Sequence, residues 1–269
     1  MKLSISNILW EKGRDALPAF LDAAAEHGLA GVELALNAVF PEPTDLSAAD
    51  LGWLRAELRS RRLEISALHA LTFTRPDLEL FGAPASRRSL EDYVAACARI
   101  AAELDCPNMV FGSPSARRRC GQSKAECDDS FLEFLRGYDA RSAGVRLNIE
   151  PLHPRMCEYL HDIGECARLL ERGSFVHVGI QLDVRACMDN GEGPNEVRAV
   201  LKQIHHCQVS DPELMPIGAA HSGTHRAFAA LLREAGYAGF VAGEMRAPPG
   251  TSPSQALGIA VASLREFYA

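Results

Sequence analysis

The sequence predicts an α/β fold, a single closed (β/α)8 TIM barrel spanning residues 1–269, on three observations. Short apolar runs that read as buried strands alternate with helical stretches from end to end, and eight such runs can be counted. A barrel of this kind needs about 250 residues, and the chain has 269 with no linker-like segment dividing it. The longest irregular stretches are NAVFPEPTD, TFTRPDLELFGAPAS, GSPSARRRCGQS and SDPELMPIGAAHSGT, and each follows a strand candidate. In a barrel those stretches gather on the rim where active sites are built.

The elements follow in order. The first strand is Lys2–Ser6. The joint AAEHGLAGVEL then stops a helix at Gly28 and opens the second strand, Gly31–Leu34. The third strand is Leu63–His69. A helix follows over Ser89–Leu104, where Leu90, Val94, Cys97, Ala101 and Leu104 form an apolar stripe and Ser89 with Asp92 resembles a capping box. The remaining strands are Asn108–Phe111, Val145–Glu150, Val176–Asp183, Ile204–Val209 and Gly239–Glu244. The last is introduced by LREAGYAGFVAGE, a second Gly-stopped joint like the first. A doubly wound open sheet is the rival arrangement, but neither a G-x-G-x-x-G after an early strand nor a Walker A sequence is present.

Composition narrows the setting. A net charge of −7 argues against a nucleic-acid partner. No segment is apolar for the 18 or so residues of a membrane span. None of the eight cysteines has C-x-x-C spacing, and the start MKLSISNILWEKGRD lacks the apolar core of a signal peptide. The expectation is a cytoplasmic protein with free thiols. Nothing fixes its oligomeric state, which leaves a homo-oligomer open.

Glu150, Asp183, Gln208 and Glu244 stand at or near the ends of strands five to eight. One acid there could merely cap the next helix. Four oxygen-bearing residues on successive parallel strands converge, and a divalent cation is the natural compensation for their buried charge. The donor set is hard, so Mn²⁺ leads over Mg²⁺, Co²⁺ or Zn²⁺ as the single metal ion. Asn148, Gln181 and His206 lie two residues earlier on the same strand faces, one layer deeper. Two flanking carboxylates, Glu150 and Glu244, would serve as acid and base for proton transfer next to a carbonyl. Arg246 could pair with a carboxylate or phosphate. The run Arg117–Arg119 could recruit an anion, although a solvated charge run is the commoner arrangement. His225 would cap the seventh helix or close over substrate.

The segments SISNILW, GVELALN, NMVFGSP, LNIEPLH, QLDVRA, HHCQVSDPEL and GYAGFVAGEM, in this order, resemble the xylose-isomerase-like TIM barrels of the sugar phosphate isomerase/epimerase superfamily. The resemblance implies Glu150, Asp183, Gln208 and Glu244 as metal ligands, with the two Glu as acid and base. It also implies substrate contacts from Glu33, His69, His153 and Arg155, with His206 beside them, to a small carbohydrate-like molecule. Two positions depart from the epimerase pattern. Gln208 stands where those enzymes have His, as in the related dehydroshikimate dehydratases, and Ala186 stands where His often follows the strand-six Asp by three. Isomerisation or epimerisation of a sugar, sugar phosphate or polyol-derived ketone is the leading expectation. Its alternatives are a metal-dependent dehydratase and a non-catalytic sugar-binding barrel.

Overall fold

The computed structural model describes residues 1–269 and forms the expected barrel. Eight parallel strands close in sequence order: β1 (Lys2–Ser6), β2 (Gly31–Leu34), β3 (Glu64–Leu68), β4 (Asn108–Phe111), β5 (Arg146–Ile149), β6 (Val178–Asp183), β7 (Ile204–Val209) and β8 (Phe240–Gly243). Pairing of β1 with β8 completes the ring. Nine α-helices surround it: α1 (Leu17–Glu26), α2 (Ala48–Ser60), α3 (Pro84–Glu103), α4 (Lys124–Asp139), α5 (Ile163–Leu170), α6 (Val184–Asn190), α7 (Pro194–Val200), α8 (Ser222–Glu234) and α9 (Pro253–Tyr268). No helix is long and apolar enough to cross a membrane.

Both glycine-stopped joints take the expected form. Gly28 and Gly236 adopt left-handed φ of 61° and 67°, a conformation that costs glycine least. The stripe Leu90, Val94, Cys97, Ala101 and Leu104 is buried. Its helix begins earlier than expected, because Pro84 supplies a pre-set first turn and carries α3 through Ser89. The Ser89–Asp92 capping box therefore does not form. Real boxes stand at Ser47–Asp50, Ser123–Glu126 and Ser252–Gln255, each at the start of a helix. All eight cysteines are free thiols, and only Cys120 is exposed.

One carboxylate outside the barrel mouth sets a pH limit on stability. Glu192, just after α6, accepts a hydrogen bond from the Ile163 N–H at 2.9 Å and helps start α5. Burial pushes its carboxyl up to about 7. A raised carboxyl stabilises the fold fully below the ordinary value of 4.5, and that contribution is lost as pH rises through about 7. Glu192→Gln keeps the acceptor and cannot ionise. It should melt like the parent at pH 5 and higher than the parent at pH 8, by about 1 kcal/mol after allowance for solvent screening. Equal melting temperatures at pH 8 would contradict this.

Candidate active site

Strand register sets the layers of the barrel mouth. Gln181 on β6 pairs with His206 on β7, and one pleat higher Asp183 pairs with Gln208. Gln208 is level with Ala242 on β8, so Glu244 stands one layer above it. The backbone ladder runs one bond past the strands on both sides. Glu150 N–H donates to the Phe111 carbonyl at 3.3 Å, and Glu244 N–H donates to the Val209 carbonyl at 3.2 Å. This holds both glutamates at fixed height although neither lies within a strand.

Two networks meet there. The first spans β1, β2, β3, β7 and β8. Glu33 is completely buried and accepts from His206 Nε2 at 2.6 Å and from Gln208 Nε2 at 2.9 and 2.8 Å. His69 lies between Ser6 Oγ, 2.8 Å from its Nε2, and Glu244 Oε1, 3.3 Å from its Nδ1. Burial works to raise the Glu33 carboxyl, but His69, His206 and Gln208 outweigh it and hold the group below the usual carboxylate range. Burial likewise opposes charge on His69, yet Glu33 and Glu244 raise its imidazole above its ordinary value.

The second network joins β5 and β6 through a residue that sequence reasoning did not single out. Arg185, in the first turn of α6, donates from Nη2 to Asp183 Oδ2 at 2.7 Å, and its backbone N–H donates to Asp183 Oδ1 at 2.9 Å. Asp183 thereby caps α6. The same Nη2 lies 3.9 Å from Glu150 Oε1, and Nη1 donates to Asp189 Oδ2 at 3.4 Å. Burial, and then the charges of Asp183 and Glu244, hold the Glu150 carboxyl well above the usual range, against the pull of Arg185 and Arg117. Burial also raises Asp183, with Glu244 adding to it, and Arg185 only partly offsets the rise.

Glu150 is packed as well as charged. A Cβ added at Gly112 would fall 1.6 Å from Glu150 Oε2, so only glycine leaves that oxygen its place. Gly112→Ala should keep the fold, displace the carboxylate, and lower kcat by about 100-fold, the cost of misplacing a reacting group by an ångström. Steady-state rates beside a thermal melt check this; an unchanged kcat would show that Glu150 does not work from its present position.

The structure thus brings Glu150, Asp183, Gln208, Glu244, Glu33, His69 and His206 to one mouth. It leaves His153, Arg155 and Arg246 outside their hydrogen-bond networks. The His153 ring nitrogen Nδ1 accepts from the backbone N–H of Arg155 at 3.1 Å, and Arg155 and Arg246 are exposed. His206 and Gln208 both donate to Glu33. Asn148 reaches Asn108 Oδ1 and the Met109 carbonyl, and both amide atoms of Gln181 are buried without a partner. His225 lies within α8 rather than at its cap. It bridges Asp211 Oδ1, at 3.1 Å, to Tyr268 Oη, at 2.8 Å.

The arginine run divides. Arg118 pairs with Glu79 at 2.8 Å and Arg119 donates to the Gln122 carbonyl, whereas Arg117 is wholly buried with no hydrogen-bond partner on its guanidinium. A residue expected in a solvated run is therefore one of the two cations that act on Glu150.

The family model for the xylose isomerase-like TIM barrel matches residues 21–267. No curated protein matches the chain. Among solved structures, a D-psicose 3-epimerase from Clostridium cellulolyticum H10 with D-tagatose superposes with TM-score 0.79 at 15% identity, covering 100% of this chain and 99% of that one. A 3-keto-D-glucoside 4-epimerase from E. coli gives 0.81 at 16% identity, covering 99% of each chain. An AP endonuclease, family 2, from Brucella melitensis gives 0.71 at 19% identity, covering 96% and 97%. At these identities the likeness is one of fold.

Proposed function

We propose that this chain, which belongs to the xylose isomerase-like TIM barrel family, is an isomerase or epimerase that moves a proton next to the carbonyl of a carbohydrate-like ketone. The observation that carries this reading is the pair Glu150 and Glu244. They stand just past the ends of β5 and β8, and the charge of Glu244 helps to raise the Glu150 carboxyl. Each is held by different partners, Glu150 by Gly112 and the arginines, Glu244 by His69. One carboxylate takes the proton from the carbon beside the carbonyl, leaving an enediolate, and the other returns a proton to the opposite face. Glu33, through His206 and Gln208, fixes the floor beneath them. The epimerases that share the fold support a sugar as the substrate class.

Mn²⁺, Mg²⁺, Co²⁺ or Zn²⁺ was the cofactor expected from the hard donors Glu150, Asp183, Gln208 and Glu244. Such an ion would polarise the carbonyl. The residues as arranged do not fit one. Both oxygens of Asp183 accept from Arg185, so the charge of that carboxylate is already met by a guanidinium. No three His, Cys, Asp or Glu side chains are grouped as metal ligands. No step is therefore assigned to a metal. Gln208 motivates elimination of water from the same enediolate as the second reading.

The test is product analysis by NMR on a panel of ketoses, 3-keto sugars and cyclic ketones. An aldose or epimer formed by the parent and not by Glu244→Gln supports the isomerase reading. An unsaturated product assigns the lyase. Saturable binding without turnover of any member would leave a carbohydrate-binding barrel.

A further inference from the structure

We propose that the guanidinium of Arg185 is the resident cation of this mouth and occupies the place that a divalent metal ion would take. The inference rests on the reading of Glu150, Asp183 and Glu244 as one site, and extends it to how that site is neutralised.

Three carboxylates surround the guanidinium. Asp183 Oδ2 lies 2.7 Å from Nη2, Glu150 Oε1 lies 3.9 Å from the same nitrogen, and Asp189 Oδ2 lies 3.4 Å from Nη1. The group is fixed rather than draped over the rim. The Arg185 side chain is 10% exposed, and it springs from the first turn of α6, whose N-terminus Asp183 itself caps. Helix start, cap and ion pair therefore form one unit. Asp183 therefore accepts one hydrogen bond from Arg185 on each of its two oxygens.

The charge is of the right size and in the right place. Arg185 remains protonated at any working pH. An ammonium or guanidinium beside two acids meets the same electrostatic need as a hydrated metal ion, without needing four to six oxygens at fixed distances. Of the other expected donors, Gln208 is anchored through its nitrogen on Glu33, and Glu244 Oε1 lies 3.3 Å from His69 Nδ1, so both are positioned by protein groups.

Metal binding itself tests this and needs no substrate, so its failure is separable from failure of the proposed reaction. Full-length protein, prepared without chelator, is assayed for bound metals by mass spectrometry and titrated with Mn²⁺ by electron paramagnetic resonance. The parent is expected to hold well under one ion per chain and to bind Mn²⁺ weakly. Arg185→Ala frees Asp183 and removes a competing unit charge, and should bind Mn²⁺ about 10-fold or more tightly than the parent. Arg185→Lys keeps the charge and should stay metal-poor, which a role in packing alone would not produce. Near-stoichiometric Mn, Co, Zn or Mg in the parent would overturn the proposal. So would an Arg185→Ala variant that folds, by circular dichroism, and binds Mn²⁺ no better than the parent. Were that variant not to fold, the metal content of the parent and of Arg185→Lys would decide between the two outcomes.

Discussion

Glu150→Gln should abolish proton exchange while leaving the fold intact. Removing one member of an acid/base pair typically costs about 10²–10⁴-fold in rate, and here the same carboxylate would also be the one beside the guanidinium. The stability of this variant should move in the opposite direction. The Glu150 carboxyl is held above its ordinary range by burial and by Asp183 and Glu244. A carboxyl raised in the folded state favours folding below the ordinary carboxylate value, and that advantage is lost as pH rises through the raised value. Ionising this group therefore costs the fold stability. Glu150→Gln should be more stable than the parent at pH 7 by about 0.5–2 kcal/mol, as is common when a strained functional group is neutralised. The difference should close as pH falls towards 4. A variant both inactive and less stable at pH 7 would assign Glu150 a mainly structural role.

Glu33→Ala should be among the most damaging single substitutions in the chain. Glu33 is inaccessible to solvent and accepts from His206 and from Gln208, with His69 Nε2 3.9 Å away. Deleting one partner of a buried, hydrogen-bonded charge cluster costs about 3–5 kcal/mol. A loss of that size lowers the melting temperature by on the order of 10 °C. The sign with pH is also fixed. A carboxyl held below its ordinary range stabilises the fold above that range and ceases to do so as pH falls through it. The gap between parent and variant should therefore be widest near neutrality and shrink in acid. Glu33→Gln, which retains one acceptor oxygen, should fall between the two. Melting curves of all three proteins across pH give the comparison, and a Glu33→Ala variant within 1 °C of the parent (~0.5 kcal/mol or less) would show that the cluster contributes little.

The barrel was legible because its signals are local. Alternating apolar runs mark strands whatever surrounds them, and Gly28 and Gly236 stop helices through their own backbone freedom. Strand-end carboxylates were legible for the same reason: parallel strands in sequence order must bring Glu150, Asp183 and Glu244 to one rim. What periodicity could not show is what each acid meets. Glu33 on β2 and Gln208 on β7 are 175 residues apart and touch only because the barrel closes. Arg185 stands two residues from Asp183, but its direction is set by the first turn of a helix whose start could not be placed to the residue. Arg117 is hidden in a run of three arginines whose neighbours do face solvent. Ser89 misled because the Ser–Asp spacing that caps α2 at Ser47–Asp50 falls here inside a helix already begun at Pro84. The pair Asp183-x-Arg185, two residues apart, was the one sequence signal that could have raised the question of a built-in counter-ion.

Proton transfer by Glu150 and Glu244 beside a carbonyl leaves an isotopic trace. Deuterium incorporation from D₂O into ketoses tests it most directly, followed by NMR for the parent, Glu150→Gln and Glu244→Gln. Uptake is expected at one carbon next to the carbonyl with the parent, and should be lost in at least the variant of the base. Product formed by the parent with no solvent deuterium at that carbon, or uptake unchanged in both variants, would contradict it.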